Sequence, residues 1–276
     1  MIDPPPVRRV LLGAVLRRYR EDLGLALEDA ARILECDRSK ISRIETGQRG
    51  IRPKELRELL TEYGIGEPEQ GTLTAIARAG NRGSWWQAYS DIVLEPYRDY
   101  LALEQAATAV LLYDPQHVPD LLQTPQYAQV RAAAIRSVPA DTAQGTLAAL
   151  VLARQEILGA RRTRLTALIT EAALRQLADG PDVMCDQLKA LAGVDDRITL
   201  QVLPSVREAP SSGPATILRF AWMPSLGVVY LPGLSGGVCL AGQQDVASYT
   251  SAFEQLRASA LTPAASVRFI REMTGE

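Results

Sequence analysis

With 276 residues, 47% of them apolar but only three Phe and three Trp, the chain is long for one compact core. Its interior has to be filled by Ala, Leu, Val and Ile, a composition that favours helices with some aliphatic strands. The net charge of −2 hides an asymmetry. Thirteen Lys and Arg stand against eight Asp and Glu between Arg8 and Arg57, a net +5 that leaves −7 for the rest. Nucleic-acid contact follows local cation density, so it is expected of the first part only.

Cys36, Cys185 and Cys239 are odd in number and lack metal-ligand spacing, which argues against a disulfide framework or a zinc site and for a reducing cytoplasm. No stretch reaches the roughly 18 apolar residues of a membrane span, and the apolar run near the start is too short for a signal peptide core. A soluble protein without membrane contact and without a cofactor is expected.

After a Pro-rich start, "VRRVLLGAVLRRYREDLG" places Val7, Leu11, Val15 and Leu16 on one helical face, with Arg17, Arg18 and Arg20 on the others, and stops at Gly24. "LEDAARILE" is a second helix ending near Cys36. In "DRSKISRIETGQRG", residues 37–50, Asp37 is the natural N-cap and Gly47 the natural stop of a third. Ile41 and Ile44 then point inward, while Arg38, Ser39, Lys40, Ser42 and Arg43 point outward. Pro53 opens a fourth helix, and "EPEQGTLTAIARAG" forms a fifth.

"GNRGSWW", residues 80–86, is a breaker-rich joint. It divides a head, 1–80, from a body, 85–276. The body reads as helical over 85–160 apart from a strand at Val110–Tyr113, then as a small sheet with a covering helix over 164–240, then as two closing helices over 243–274.

Two helices joined by a short turn, the second short and polar outside, form a helix-turn-helix, which lays its second helix in a major groove. Lys40, Arg43 and Ser39 are then expected at base edges, with Ser42 on the same polar face. Arg38, Gln48, Arg49 and Arg52 are expected at phosphates. Residues 8–64, with "SKISRIETG" as the most specific string, resemble a lambda-repressor-like helix-turn-helix domain of the Xre class. The body resembles the actinobacterial, antitoxin-like domain of unknown function that follows such heads in regulators related to sporulation control. The strings that carry this likeness are "GSWWQAYSD", "YDPQHVPDLLQTPQYA", "LARQEIL", "ITLQVLP" and "VVYL".

The resemblance implies a mainly helical fold with a smaller α+β part, comprising a five-helix head and a helical body carrying a small β-sheet. It also implies a homodimer on double-stranded DNA whose body pairs subunits and receives a small molecule or a small partner protein. Two departures stand out. Ala26-Leu27 replaces the usual Thr-Gln at the start of the second helix, removing a cap and a phosphate-reaching amide. Pro232-Gly233 replaces a polar pair after "VVYL".

In the body, Trp85, Trp86, Tyr89, Tyr113, His117, Gln123 and Tyr230 are the candidates for a ligand or partner site. The aromatic turn could equally pin head to body. His117 is the only histidine and has no Ser or Cys partner by spacing, so a structural role is favoured over catalysis. Glu104, Asp114, Asp120 and Glu171 are scattered, and spacing alone pairs none of them. No catalytic or metal-binding residue is assigned. Two other readings stay open: a biosynthetic enzyme or small-molecule binder that has lost DNA binding, favoured by a closed pocket and a covered head, and a partner-binding scaffold, favoured by an exposed apolar groove.

Overall fold

The structure, a computed structural model, describes residues 7–78, 84–93, 95–134, 143–176, 181–205, 213–221, 226–233 and 237–275. Among these lie twelve α-helices and six strands. The head contains α1 (Val7–Asp22), α2 (Leu27–Ile33), α3 (Arg38–Glu45), α4 (Pro53–Glu62) and α5 (Glu67–Arg78). Leu11, Val15 and Leu16 of α1 meet Ile41 and Ile44 of α3 and Leu56, Leu59 and Leu60 of α4 in its core. The helices approach closely because α1 carries Gly13: a Cβ there would lie 2.4 Å from the carbonyl oxygen of Ile44. Gly47 closes α3 at φ +73°, a left-handed backbone suited to glycine, with the Val10 backbone 2.9 Å from where a Cβ would stand.

Arg20 departs from its expected place on the outer face of α1. It is 7% exposed because its guanidinium forks onto Glu45, Nε to Oε1 at 2.7 Å and Nη2 to Oε2 at 2.8 Å, while Nη1 donates to the Leu25 carbonyl at 2.7 Å. Burial alone would penalise both charges; pairing and the third hydrogen bond offset this and tie α1, the α1–α2 turn and α3 together.

A single turn of 3-10 helix at Trp85–Tyr89 leads into α6 (Glu95–Ala106), β1 (Ala109–Asp114), a second such turn at Asp120–Leu122, α7 (Pro125–Ala134) and α8 (Ala143–Ala160). There follow β2 (Arg164–Thr170), α9 (Glu171–Arg175), α10 (Pro181–Ala192), β3 (Ile198–Leu203), β4 (Ala215–Arg219), β5 (Gly227–Leu231), β6 (Val238–Leu240), α11 (Gln243–Ser259) and α12 (Pro263–Thr274). The strand order is β3-β2-β1-β4-β5-β6. β1, β2 and β3 are parallel, and β4, β5 and β6 continue as an antiparallel meander from β1.

The sheet is thus larger than the 164–240 segment. Its central strand, β1, comes from the stretch read as mainly helical, pairing Val110 with Leu165 on one side and with Leu218 on the other. Both faces of β1 are covered, which explains the unbroken apolar run "AVLLY". Val110 and Leu112 enter the main core, while Leu111 and Tyr113 face a second cluster with Val246, Phe253 and Leu256 of α11. The outer edge of β3 is occupied too, since the Val202 amide donates to Ser266 Oγ at 2.9 Å and its carbonyl accepts from the Leu261 amide at 2.9 Å.

Residues 80–83 of the expected joint lie outside the described residues. On either side of it the apolar core is continuous: one cluster runs from Leu11 and Leu16 through Trp86, Val93 and Leu101 to Leu218 and Ile270. Arg8 of α1 also pairs with Asp99 of α6 at 3.2 Å.

Candidate functional site

Two places concentrate polar side chains. The first is the outer face of α3. The Asp37 carboxylate accepts the Ser39 amide at 2.7 Å and fixes the start of the helix; the Ser39 hydrogen bonds hold its carboxyl below the ordinary value. Arg38, Ser39, Arg43, Gln48, Arg49 and Arg52 are all exposed, and Ser42 is half-buried. The side chains of Arg43, Gln48, Arg49 and Arg52 make no hydrogen bond or ion pair among the described residues. Arg38 reaches Glu28 at 2.8 Å, with both groups in solvent.

Lys40 differs from its neighbours. It is half-buried and its ammonium lies 2.7 Å from Glu55 Oε1, so it braces α3 against α4 and is already engaged where the sequence placed it at a base edge. Glu55 also accepts the amide of Arg52, the N-cap residue of α4, at 3.3 Å.

The start of α2 is less impaired than Ala26-Leu27 suggests. Ala26 offers no side-chain cap, but Asp29, three residues on, accepts the Ala26 amide at 2.7 Å, the reciprocal half of a capping box. The Asp29 amide in turn donates to the Ala26 carbonyl at 3.1 Å, so the first turn of α2 is closed without a side-chain cap from Ala26.

The second place is a cavity of about 550 Å³ in the body. It opens where β1 ends, at the switch between its parallel neighbour β2 and its antiparallel neighbour β4. A strand order that reverses leaves the connections on either side of β1 diverging, and this gap is a usual place for ligands in sheets covered by helices. Four of the seven body candidates line it: Tyr113, His117, Gln123 and Tyr230, joined by Pro232 and Gly233. Trp85, Trp86 and Tyr89 do not. Trp85 stands edge-on to Trp86 at 5.7 Å and to Tyr89 at 6.1 Å, Trp86 is buried in the shared core, and the Tyr89 hydroxyl donates to the Ala149 carbonyl at 3.5 Å. This aromatic turn packs the joint against α8.

His117 is held by its own loop. Its amide donates to Asp114 Oδ1 at 3.0 Å, and its Nδ1 lies 3.5 Å from Asp114 Oδ2. Gln123, buried, donates through Nε2 to the Val118 carbonyl at 2.8 Å and to Asp120 Oδ1 at 3.3 Å.

The most concentrated polar chemistry at the cavity was not singled out by spacing. Arg154 of α8 is buried beneath Tyr97 and Tyr100, its guanidinium carbon 5.9 and 5.6 Å from the two ring centres. It forks onto Glu104, Nε to Oε2 at 2.9 Å and Nη2 to Oε1 at 2.8 Å, and reaches Asp120 Oδ2 at 3.0 Å and the Tyr100 hydroxyl at 3.2 Å. Glu104 and Asp120, scattered in the sequence, therefore meet on one cation.

Burial opposes the Arg154 charge, but the Glu104 carboxylate outweighs it and holds the guanidinium firmly protonated. The Tyr100 hydroxyl also contacts Glu104. Burial raises the pKa of Tyr97, Tyr100 and Tyr230, keeping all three neutral. Tyr100 stacks on Tyr230 at 4.0 Å and on Tyr97 at 5.4 Å. The legible signal was a single Arg inside the apolar run "AALVLARQEIL"; such a residue is either a defect or a paired one.

Among the described residues no group of three His, Cys, Asp or Glu could hold a metal, and no helix is long and apolar enough to cross a membrane. A smaller apolar groove of about 270 Å³ lies between the sheet and α11, bordered by Tyr113, Ile217, Tyr249 and Phe253. Residues 97–272 match the family described as Domain of unknown function (DUF5753), and residues 11–73 match a Helix-turn-helix domain. No curated protein and no solved structure matches the chain at a significant level.

Proposed function

From the premise that the chain belongs to the DUF5753 family and carries a helix-turn-helix domain ahead of it, we propose that it is a sequence-specific transcriptional regulator of the Xre class. It binds double-stranded DNA in the cytoplasm as a homodimer, and its body receives a small-molecule signal. The observation that carries this reading is the uncovered α3 face. Arg43, Gln48, Arg49 and Arg52 present unspent donors to solvent, and the contacts of α3 with other elements are chiefly with α1 and α2. A helix so placed can enter a major groove with Arg43 and Ser39 at base edges, Arg38, Gln48, Arg49 and Arg52 at phosphates, and Lys40 bracing it against α4 through Glu55. Two heads would then read half-sites about 34 Å apart or a multiple of it.

The body supplies a route for the signal. Helix α6 carries Tyr97 and Tyr100 at the cavity and Asp99 on α1 through Arg8. A molecule that favours one placement of α6 therefore favours one placement of α1, on which α3 rests. A cavity of about 550 Å³ between the sheet end and its covering helices suits a small molecule better than an antitoxin-like protein partner, for which the groove beside α11 is the alternative seat.

A gel shift with the DNA flanking the protein's own coding region tests the proposal. Wild type should bind in a salt-sensitive manner, Arg43→Ala should lose about 1–3 kcal/mol on the specific fragment, and Lys40→Ala should weaken binding less. Absence of salt-sensitive binding to any native upstream fragment overturns the regulator reading in favour of a small-molecule binder or enzyme on the same fold.

A further inference from the structure

We infer that the body cavity takes a ring-bearing organic carboxylate, with Arg131 as its anchor. This deepens the reading of the body as a small-molecule receiver and rests on it. The argument begins with size and walls. About 550 Å³ lies within the range of pockets that enclose a drug-sized molecule. One side is apolar, with Leu147, Leu150 and Val151 of α8, and another carries the Tyr97, Tyr100 and Tyr230 stack. Planar rings suit such walls.

The sign of the ligand follows from which charged atoms are already spent. The Arg154 guanidinium is committed to Glu104, Asp120 and Tyr100. Asp120 gives Oδ2 to Arg154 and Oδ1 to Gln123. Asp114 accepts the amides of Gln116 and His117 on Oδ1, and its Oδ2 faces His117 Nδ1. Three of the four oxygens of the two lining carboxylates thus accept hydrogen bonds and the fourth, Asp114 Oδ2, is faced by His117 Nδ1 at 3.5 Å, which leaves little for a cationic ligand. Arg131 of α7 is the exception. It lines the cavity, is half-buried, and its side chain has no hydrogen bond or ion pair among the described residues.

A half-buried guanidinium with unspent donors pays a desolvation penalty that a carboxylate relieves. The planar fork matches two carboxylate oxygens at once, which a neutral amide cannot reproduce and an amine opposes.

Indole-3-acetate, indole-3-acetamide and tryptamine share a ring and differ in charge, so titrating each into the full-length protein without DNA, by ligand-observed NMR, tests the inference. The expected order is carboxylate, then amide, then amine. In Arg131→Gln the carboxylate should lose about tenfold or more, the scale of a charge-assisted hydrogen bond, while the amide is unchanged. Arg131→Lys, which keeps the charge, should retain part of the preference, and unchanged thermal midpoints check that both variants fold. The inference is overturned if no probe binds at millimolar concentration, if the amide or amine binds as well as the carboxylate, or if the preference survives in Arg131→Gln. A chain that binds the carboxylate but no DNA would sink the regulator reading and leave this one standing.

Discussion

Replacing Arg154 by Met removes the cation at the centre of the buried cluster while keeping its bulk. The lost contacts are unequal. Asp120 is 54% exposed in its side chain and regains water, so its share is about 0–1 kcal/mol. Glu104 is 2% exposed; it keeps the Tyr100 hydroxyl but loses both arms of the fork, and stranding such a charge costs about 3–5 kcal/mol. Arg154→Met should therefore be severely destabilising.

Adding Glu104→Leu removes the stranded charge and should recover most of the loss, leaving about 1–3 kcal/mol for the Tyr100 hydroxyl now without a partner. Tyr100→Phe as a third change should remove that remainder. Urea unfolding of the three variants, with equal slopes, measures the series. If Arg154→Met costs less than about 1 kcal/mol, or if the double variant is no better than the single, the burial argument is wrong.

Three further outcomes concern the head. Gly13→Ala should lower the thermal midpoint and weaken DNA binding, although Ala is the better helix former by about 1 kcal/mol. Its Cβ would stand 2.4 and 2.5 Å from the backbone oxygens of Ile44 and Glu45, and separating α1 from α3 costs about 1–3 kcal/mol or more; a higher midpoint would contradict the close approach. Asp29→Ala should cost about 1 kcal/mol by freeing the Ala26 amide, and Ala26→Ser should gain a similar amount, read from urea midpoints.

The Lys40 hydrogen bond holds the Glu55 carboxyl below its ordinary value. The stability from that pair is therefore complete above the ordinary carboxylate value and disappears as pH falls through the lowered one. The thermal-midpoint advantage of wild type over Lys40→Met should accordingly begin to shrink as pH falls below about 4 and vanish only once pH has passed below the lowered Glu55 value; an advantage that does not shrink with falling pH would show that the contact is packing and not charge.

The head was legible because its signals are local. Asp37, Gly47 and Pro53 mark element ends within a few residues of the apolar positions they serve, so α3 and α4 follow from the sequence alone. Glu45 gave no such signal, since its partner Arg20 lies 25 residues away on another helix. In the body the same limit applies more strongly. Arg154 and Glu104 are separated by 50 residues, and β1 looks like any short apolar run until β2 and β4 are placed beside it. The cavity candidates Tyr113, His117 and Gln123 lie within eleven residues of one another, at the end of β1 and in the segment after it, so local sequence brings them together. Arg131, Tyr97 and Arg154 come from helices whose convergence depends on the sheet order.

That sheet order also imposes a wait during synthesis. β1 must pair with Arg164–Thr170 on one side and Ala215–Arg219 on the other, so its second partner leaves the ribosome about 100 residues later, on the order of 5–20 s at ordinary translation rates. Until β2 follows about 50 residues on, "AVLLY" is an unpaired, uncharged, β-prone segment of the kind that seeks other chains, and its second edge stays open for the rest of that interval. It is closed at once by Asp114 and Pro115, a charge and a residue without an amide proton, the combination that discourages strand addition. Asp114, which later lines the cavity, thus first serves with Pro115 as a guard on the nascent chain.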